Sequence, residues 1–237
     1  MAYIHTTVKQ KSFQDHQFYV FDGIDGIGKT TQINLLENYF EKQGYKVFRT
    51  RSIGGSVGSD CDKLRKFIID GNFSKETEEI LLASSAWLNI TEVINKINEH
   101  GYPHKASKPL VIIQDRGVLS HLAYGQSRGF SRSETLEIHH KNIHAANLLR
   151  AQNIILMPLN IDVILERVKA RGEAGLFHEK YEKEDFQLKV LDRMITELTR
   201  RGKQGIKALG NFKMIKINAQ DQPLDVHEQV LKCLNLK

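Results

Sequence analysis

The stretch Gly23-Ile24-Asp25-Gly26-Ile27-Gly28-Lys29-Thr30 constrains this chain more than any other. It follows an apolar run, Phe18-Tyr19-Val20-Phe21, and opens into an amphipathic segment at Thr31, so the order reads strand, glycine loop, helix. A loop of the form G-x-x-x-x-G-K-S/T in that setting wraps phosphate with backbone N–H groups. Its lysine reaches the β/γ oxygens of a nucleotide, and its hydroxyl can ligate Mg²⁺. Gly23, Gly26, Ile27, Gly28, Lys29, Thr30 and Thr31 are therefore the candidate cradle for ATP.

What surrounds the loop reads as an α/β chain. Apolar runs predict strands at Phe18–Phe21, Lys46–Thr50, Pro109–Ile113, Asn153–Met157 and Phe212–Ile217. Helical spacing predicts helices over Thr31–Gln43, Asp62–Asp70, Glu76–His100, Ser133–Leu149, Ile161–Arg171 and Glu182–Arg201, with another from about Leu224. Alternation of this kind predicts a five-stranded parallel sheet with helices on both faces, with the second strand reached beside the first by a right-handed crossover. Arg51 and its loop then fall at the sheet edge. The apolar period lapses among glycines and charges between Gly172 and Tyr181, which marks a mobile lid at about 171–181.

A chain of 237 residues holds one such domain, expected over residues 18–237 behind an N-terminal extension of residues 1–17. With 41% hydrophobic and 26% charged residues the composition is that of a soluble globular protein, and no apolar run nears the ~20 residues of a membrane span. Met1 to Gln17 lacks the apolar core of a secretory signal, so a cytoplasmic location is expected. Cys61 and Cys233 are far apart and form neither a disulfide framework nor a zinc pattern. The net charge of +6 is spread along the chain without a polybasic tail or interleaved aromatics. The expected partners are therefore small-molecule nucleotides, with neither nucleic acid nor membrane.

A phosphate loop says that a nucleotide binds, and other residues say what becomes of it. No N-K-x-D segment is present to read guanine, since Asn95-Lys96-Ile97-Asn98 lacks the carboxylate and falls within a predicted helix. Instead of the acidic pair of a remodelling ATPase, the buried strand ends Gln114-Asp115-Arg116. An Asp beside an Arg suits a site that manages Mg²⁺ or a hydroxyl and also clamps an acceptor phosphate.

Three motifs then carry a resemblance. Phe21 to Gln32 resembles the loop of the thymidylate kinase family, F-E-G-x-D/E-G-x-G-K-S/T-T-Q. Thr50-Arg51-Ser52-Ile53-Gly54-Gly55-Ser56 is similar to that family's T-R-E-P-G-G-T. Asp115-Arg116, Ser120 and Ala123 to Gly129 are similar to its D-R-Y/F-x-x-S-x-x-A-Y-Q-G-x-G-R-G. The resemblance runs from about Phe18 to the C-terminus and implies a P-loop NTPase fold with a lid, transfer from Mg-ATP to a nucleoside monophosphate with dTMP the leading acceptor, and a homodimer. By the same resemblance Asp25 approaches the acceptor's sugar and phosphate. Arg51, Arg116 and Arg65 hold its phosphate, Asp115 and Thr30 organise Mg²⁺, Tyr124 packs under the sugar, and Arg167 and Arg171 supply a catalytic lid arginine. The alternatives are a kinase of this fold for another phosphorylated acceptor and a nucleotide-binding regulator with little transfer.

The departures from the family pattern cluster away from the phosphate loop. Ala83 and Trp87 stand where the family has a Phe that stacks on thymine and an Arg that bonds its O4. Gly117 replaces the aromatic after D-R, Gly125-Gln126 replaces Gln-Gly after the tyrosine, and the lid's D-R-x-E reads Leu176-Phe177-His178-Glu179. Trp87 reads first as a core residue on an apolar helix face, and as a stacking partner only second. His139, His140 and His144 share a helix, but no third ligand lies nearby in sequence, so they read as packing or solvated residues.

Overall fold

A computed structural model describes residues 16–100, 108–160, 162, 166, 184–200, 212–218 and 221–237. In chain order the elements are β1 (His16–Asp22), α1 (Lys29–Lys42), β2 (Val47–Arg51), α2 (Asp60–Asp70), α3 (Lys75–His100), β3 (Leu110–Asp115), α4 (Val118–Ser127), α5 (Arg132–Leu148), β4 (Gln152–Pro158), α6 (Glu184–Thr199), β5 (Phe212–Ile217) and α7 (Pro223–Cys233). The predicted lid, with Arg167 and Arg171, lies outside the described residues, as do residues 1–15. Of the helix expected over Ile161–Arg171, Asp162 and Glu166 are described, and both are helical.

The five strands form one parallel sheet in the order β2-β3-β1-β4-β5. This corrects the expectation that β2 lies beside β1. Arg49 is exposed and Val47, Phe48 and Arg51 only half-buried, a pattern that suits an edge strand, whereas β3 is buried from Leu110 to Gln114 and takes the place next to β1. Parallel strands buried on both faces read as continuous apolar runs. Their side chains still alternate between two cores: Tyr19, Phe21, Val111 and Ile113 join one with Ile33, Leu36 and Phe40 of α1, while Phe18, Val20, Leu110 and Ile112 join the other with Ile90, Val93 and Ile94 of α3. Trp87, half-buried, packs against the second core, so the packing reading of that residue holds.

The sequence pattern offers no helix between Arg116 and Ser133, yet α4 fills that interval. Val118, Leu119, Ser120, His121, Leu122, Ala123 and Gly125 are all buried, so the helix has no polar face for a period to reveal. The next helix announces itself by a capping box, Ser131 with Glu134. Among the described residues no helix is long and apolar enough to cross a membrane.

Register positions the site. Phe21 pairs with Asp115 across β1 and β3, and Arg51 pairs with the same Asp115 across β2 and β3. The glycine loop, the Asp115-Arg116 corner and the Arg51 loop therefore leave the sheet side by side at its C-terminal edge, where ligands of open α/β sheets bind.

Candidate active site

The glycine loop ends at Gly28, the N-cap of α1, which has φ 103° and no side-chain cap. That left-handed backbone favours glycine, and the uncapped first turn leaves its N–H groups to meet an anion, with the helix dipole adding to the attraction. The Thr30 and Thr31 side chains are exposed. Lys29 is buried; its Nζ donates to the Ile24 carbonyl at 2.9 Å and lies 3.8 Å from Asp25 Oδ1. Burial, and next the nearby Arg116 guanidinium, push its ammonium down to about 8.

Asp25 is held from three sides. Arg116 Nη2 pairs with its Oδ1, while Tyr124 Oη at 3.1 Å and Gln187 Nε2 at 3.0 Å donate to Oδ2. Gln187 also accepts from the Asp25 backbone N–H at 3.1 Å. Burial alone would raise the Asp25 carboxyl, but Arg116, Lys29 and Arg51 outweigh it and hold it well below the usual carboxylate range. The Arg116 guanidinium lies 4.9 Å from the Tyr124 ring centroid, a cation–π contact that fixes both.

Asp25, Arg51, Arg65, Arg116 and Tyr124 line a single open cleft. The structure thus brings these five residues, far apart in sequence, together in one place. On the other side of the glycine loop, Ile27, Gly28 and Thr31 border a second hollow with Gln32, Ile217 and the start of α7. Asp25 lines the first, and Lys29, next to Gly28 of the second, lies 3.8 Å from Asp25.

The far wall of the cleft differs from expectation. Leu82 is the α3 residue that lines it; neither Ala83 nor Trp87 does. Beside Leu82 stand Ile53, Ile69, His121, Arg128 and His139. Sequence spacing gave no hint of the chain of hydrogen bonds behind them. Glu79, fully buried, accepts from Arg128 Nε at 2.8 Å and contacts His139 Nε2 at 3.0 Å. His139 Nδ1 meets His121 Nδ1 at 2.9 Å, and His121 Nε2 meets Ser52 Oγ at 2.6 Å. A carboxylate can only accept, so His139 carries its proton on Nε2. Asn142 Nδ2 donates to the Ala83 carbonyl at 3.1 Å and meets His139 Nδ1 at 3.4 Å, so that Nδ1 accepts; His121 then donates from its own Nδ1 and Ser52 donates to His121 Nε2. Burial above all, with His139, Arg128 and Arg116 acting in the same direction, drives His121 well below the usual histidine range and keeps it neutral. Glycine at 125 makes room for this chain, since a Cβ there would lie 2.8 Å from Glu79 Oε1 and 2.6 Å from Thr135 Cγ2. Gly117 has a similar cause, for a Cβ there would meet Val20 Cγ1 at 2.6 Å. Both departures from the family pattern thus have local packing reasons.

The residues present fit Mg²⁺. Asp115 Oδ1 is buried without a hydrogen-bond partner, while its Oδ2 faces Arg51 Nε at 3.9 Å. An unsatisfied carboxylate oxygen and an exposed hydroxyl are oxygen donors of the kind that suits a cation held chiefly by phosphates. Among the described residues no three His, Cys, Asp or Glu side chains cluster as a metal site, and His140 and His144 form none.

With this geometry in place, a family model described as thymidylate kinase matches residues 21–230. A thymidylate kinase of Caldicellulosiruptor saccharolyticus is 29% identical over 92% of this chain and 96% of its own. A thymidylate kinase of Pelobacter propionicus is 34% identical over 70% and 73%. A probable thymidylate kinase of Pyrococcus abyssi is 32% identical over 90% and 93%. A match that takes in the glycine loop, the Arg51 loop and the Asp115-Arg116 corner alike, and runs through almost the whole sheet, makes this chain a member of the thymidylate kinase family.

Proposed function

We propose that the chain transfers the γ-phosphoryl group of ATP to dTMP, giving dTDP and ADP. The observation that carries this reading is the convergence of Asp25, Arg51 and Arg116 on one cleft beside Lys29, which forms a cationic grip for a second phosphate next to the nucleotide loop. In this reading an oxygen of the acceptor phosphate attacks the γ-phosphorus as the bond to the β-phosphate oxygen breaks. Such transfers pass through a loose transition state whose charge sits on the equatorial oxygens, so alignment and cationic stabilisation do most of the work. Lys29 neutralises charge on the β/γ oxygens and the first turn of α1 binds the β-phosphate. Arg51 and Arg116 hold the acceptor phosphate, with Arg65, close to Arg51 at Gly54, lining the same cleft. Asp25 fixes Arg116 and meets the sugar, and Tyr124 packs beneath it. Thr30 and Asp115 would hold Mg²⁺, which would supply neutralisation of phosphate charge. Arg171, at the edge of a lid at about 171–181, and Arg167, just before it, complete the cation set, and closure of the lid excludes water.

The reading extends to a homodimer, supported by the exposed Ile80 and Leu88 of α3, and to a cytoplasmic enzyme whose domain, expected over residues 18–237, takes in His16 and Gln17 of β1 as well. Its test is an assay of the purified protein with ATP against dTMP, dUMP, dCMP and the purine monophosphates. We expect dTMP to be the best acceptor. Because a largely aliphatic wall with Leu82, Ile53 and Ile69 reads a missing methyl for only ~1–3 kcal/mol, dTMP should lead dUMP by ~10–100-fold. No transfer to dTMP, with transfer to another acceptor, would overturn the assignment.

A further inference from the structure

Arg116 is a non-glycine residue in the left-handed region, at φ 66°. That conformation costs of order 1–3 kcal/mol and persists only when its surroundings impose it. Its backbone N–H donates to the Phe21 carbonyl at 2.8 Å. Its carbonyl accepts from Gln114 Nε2, also at 2.8 Å. Gln114 Oε1 in turn accepts from Asn89 Nδ2 at 2.8 Å, and Asn89 Oδ1 accepts from Thr50 Oγ1 at 2.5 Å. All three side chains are buried, and Asn89 has no exposed surface.

The polarity of this chain is fixed from one end. A backbone carbonyl can only accept, so Gln114 must present its NH₂ to Arg116 and its oxygen to Asn89. Asn89 must then present its NH₂ to Gln114 and its oxygen to the Thr50 hydroxyl. No flip of either amide is allowed without setting oxygen against oxygen in a buried site. The chain therefore begins at the residue before Arg51 and ends on the carbonyl of Arg116. It joins the two guanidinium-bearing corners of the cleft through α3, an element that carries neither.

We infer that Asn89 and Gln114 are positioning residues that hold Arg51 and Arg116 as one unit, fixing the backbone from which each guanidinium reaches the acceptor phosphate. This rests on the reading of those arginines as the acceptor grip. Neither amide lines the cleft, so their effect on the acceptor passes entirely through the two arginines.

The test is steady-state kinetics on Gln114→Met, which keeps length and loses the donor, and on Asn89→Leu. Misplacing a positioned group by about 1 Å can cost up to ~100-fold, so we expect the KM for dTMP to rise ~10–30-fold. The turnover at saturating dTMP and the KM for ATP should stay within ~3-fold, because the glycine loop is not part of the chain. The double variant should be no worse than either single one, as expected of links in series. Thr50→Val, close to isosteric, provides a gentler break should the amide variants fail to fold, and should raise the same KM by ~3–10-fold through the loss of one buried hydrogen bond. A lower melting temperature with an unchanged KM for dTMP, or parallel changes in the KM for ATP and in turnover, would overturn the positioning role. Arg116→Ala is the control. If it leaves the KM for dTMP unchanged, the acceptor-grip reading itself falls, and the positioning role with it.

Discussion

Lys29 offers the most direct test of how burial shapes this site. Its ammonium is pushed from 10.5 to about 8, first by burial and then by the Arg116 guanidinium, with Asp25 at 3.8 Å only partly offsetting both. The difference amounts to ~3 kcal/mol by which the free enzyme disfavours the charged form. An arriving triphosphate reverses that balance, because each oxygen it brings favours the ammonium. The sign follows: above pH 8 the free enzyme increasingly presents a neutral amine to ATP, and capture weakens. At pH 9 about one molecule in eleven still carries the proton, so kcat/KM for ATP should fall roughly tenfold between pH 7 and pH 9. Turnover at saturating ATP should fall much less, since bound phosphate restores the higher pKa. The measurement is a pH series of initial rates at saturating dTMP. Lys29→Arg, whose charge does not titrate in this range, should be slower overall and level with pH. Lys29→Ala should lose detectable transfer while keeping its fold. A wild-type kcat/KM that stays flat to pH 9.5 would refute the argument, for it would mean that Lys29 keeps its ordinary basicity despite its surroundings.

Two further outcomes follow from buried and exposed residues elsewhere. Glu79→Gln leaves Arg128 as a buried cation beside a neutral partner, which costs ~3–5 kcal/mol. The thermal midpoint should therefore drop by ~6 °C or more, and a midpoint within 2 °C of wild type would remove the Glu79 chain as a structural support. The Glu79 carboxyl lies below its ordinary 4.5 through the His139 hydrogen bond and the Arg128 charge, which outweigh burial. Its contribution is therefore present above about 4.5 and lost as the pH falls below that, so the gap between variant and wild type should close in acid. For the homodimer, sedimentation at tens of micromolar should give twice the monomer mass, and Ile80→Lys should lower it; a monomer throughout would count against pairing through α3.

Much of the fold is legible because its signals are local. The apolar runs at Phe18–Phe21 and Leu110–Ile113 mark strands buried on both faces, and the spacing of Ile33, Leu36 and Phe40 marks α1. What failed were features set by burial alone. The helix α4 is enclosed on nearly every face and so shows no period, and β2 pairs with β3 because its half-exposed residues are tolerated only at an edge. At the site, the motifs named Asp25, Lys29, Arg51, Arg65, Arg116 and Tyr124, and the structure gathers them. Ala83 and Trp87 occupy the family's base-reading places and Trp87 reads first as a core residue; helix rotation sends Trp87 to the second core and turns Leu82, which the motifs did not name, into the cleft.

The sequence by itself determined the phosphate loop, the alternation of strands and helices, and the identities of the charged groups at the sheet's edge, because each depends on residues within a few positions of one another. Only the tertiary structure decided how those groups are held. Gln187 reaches Asp25 across 162 residues, Glu79 reaches His139 across 60, and Thr50 reaches Asn89 across 39. Single polar side chains on separate elements carry no pattern in the chain. They acquire meaning when packing removes water from them and leaves each only the partner that the fold has brought within about 3 Å.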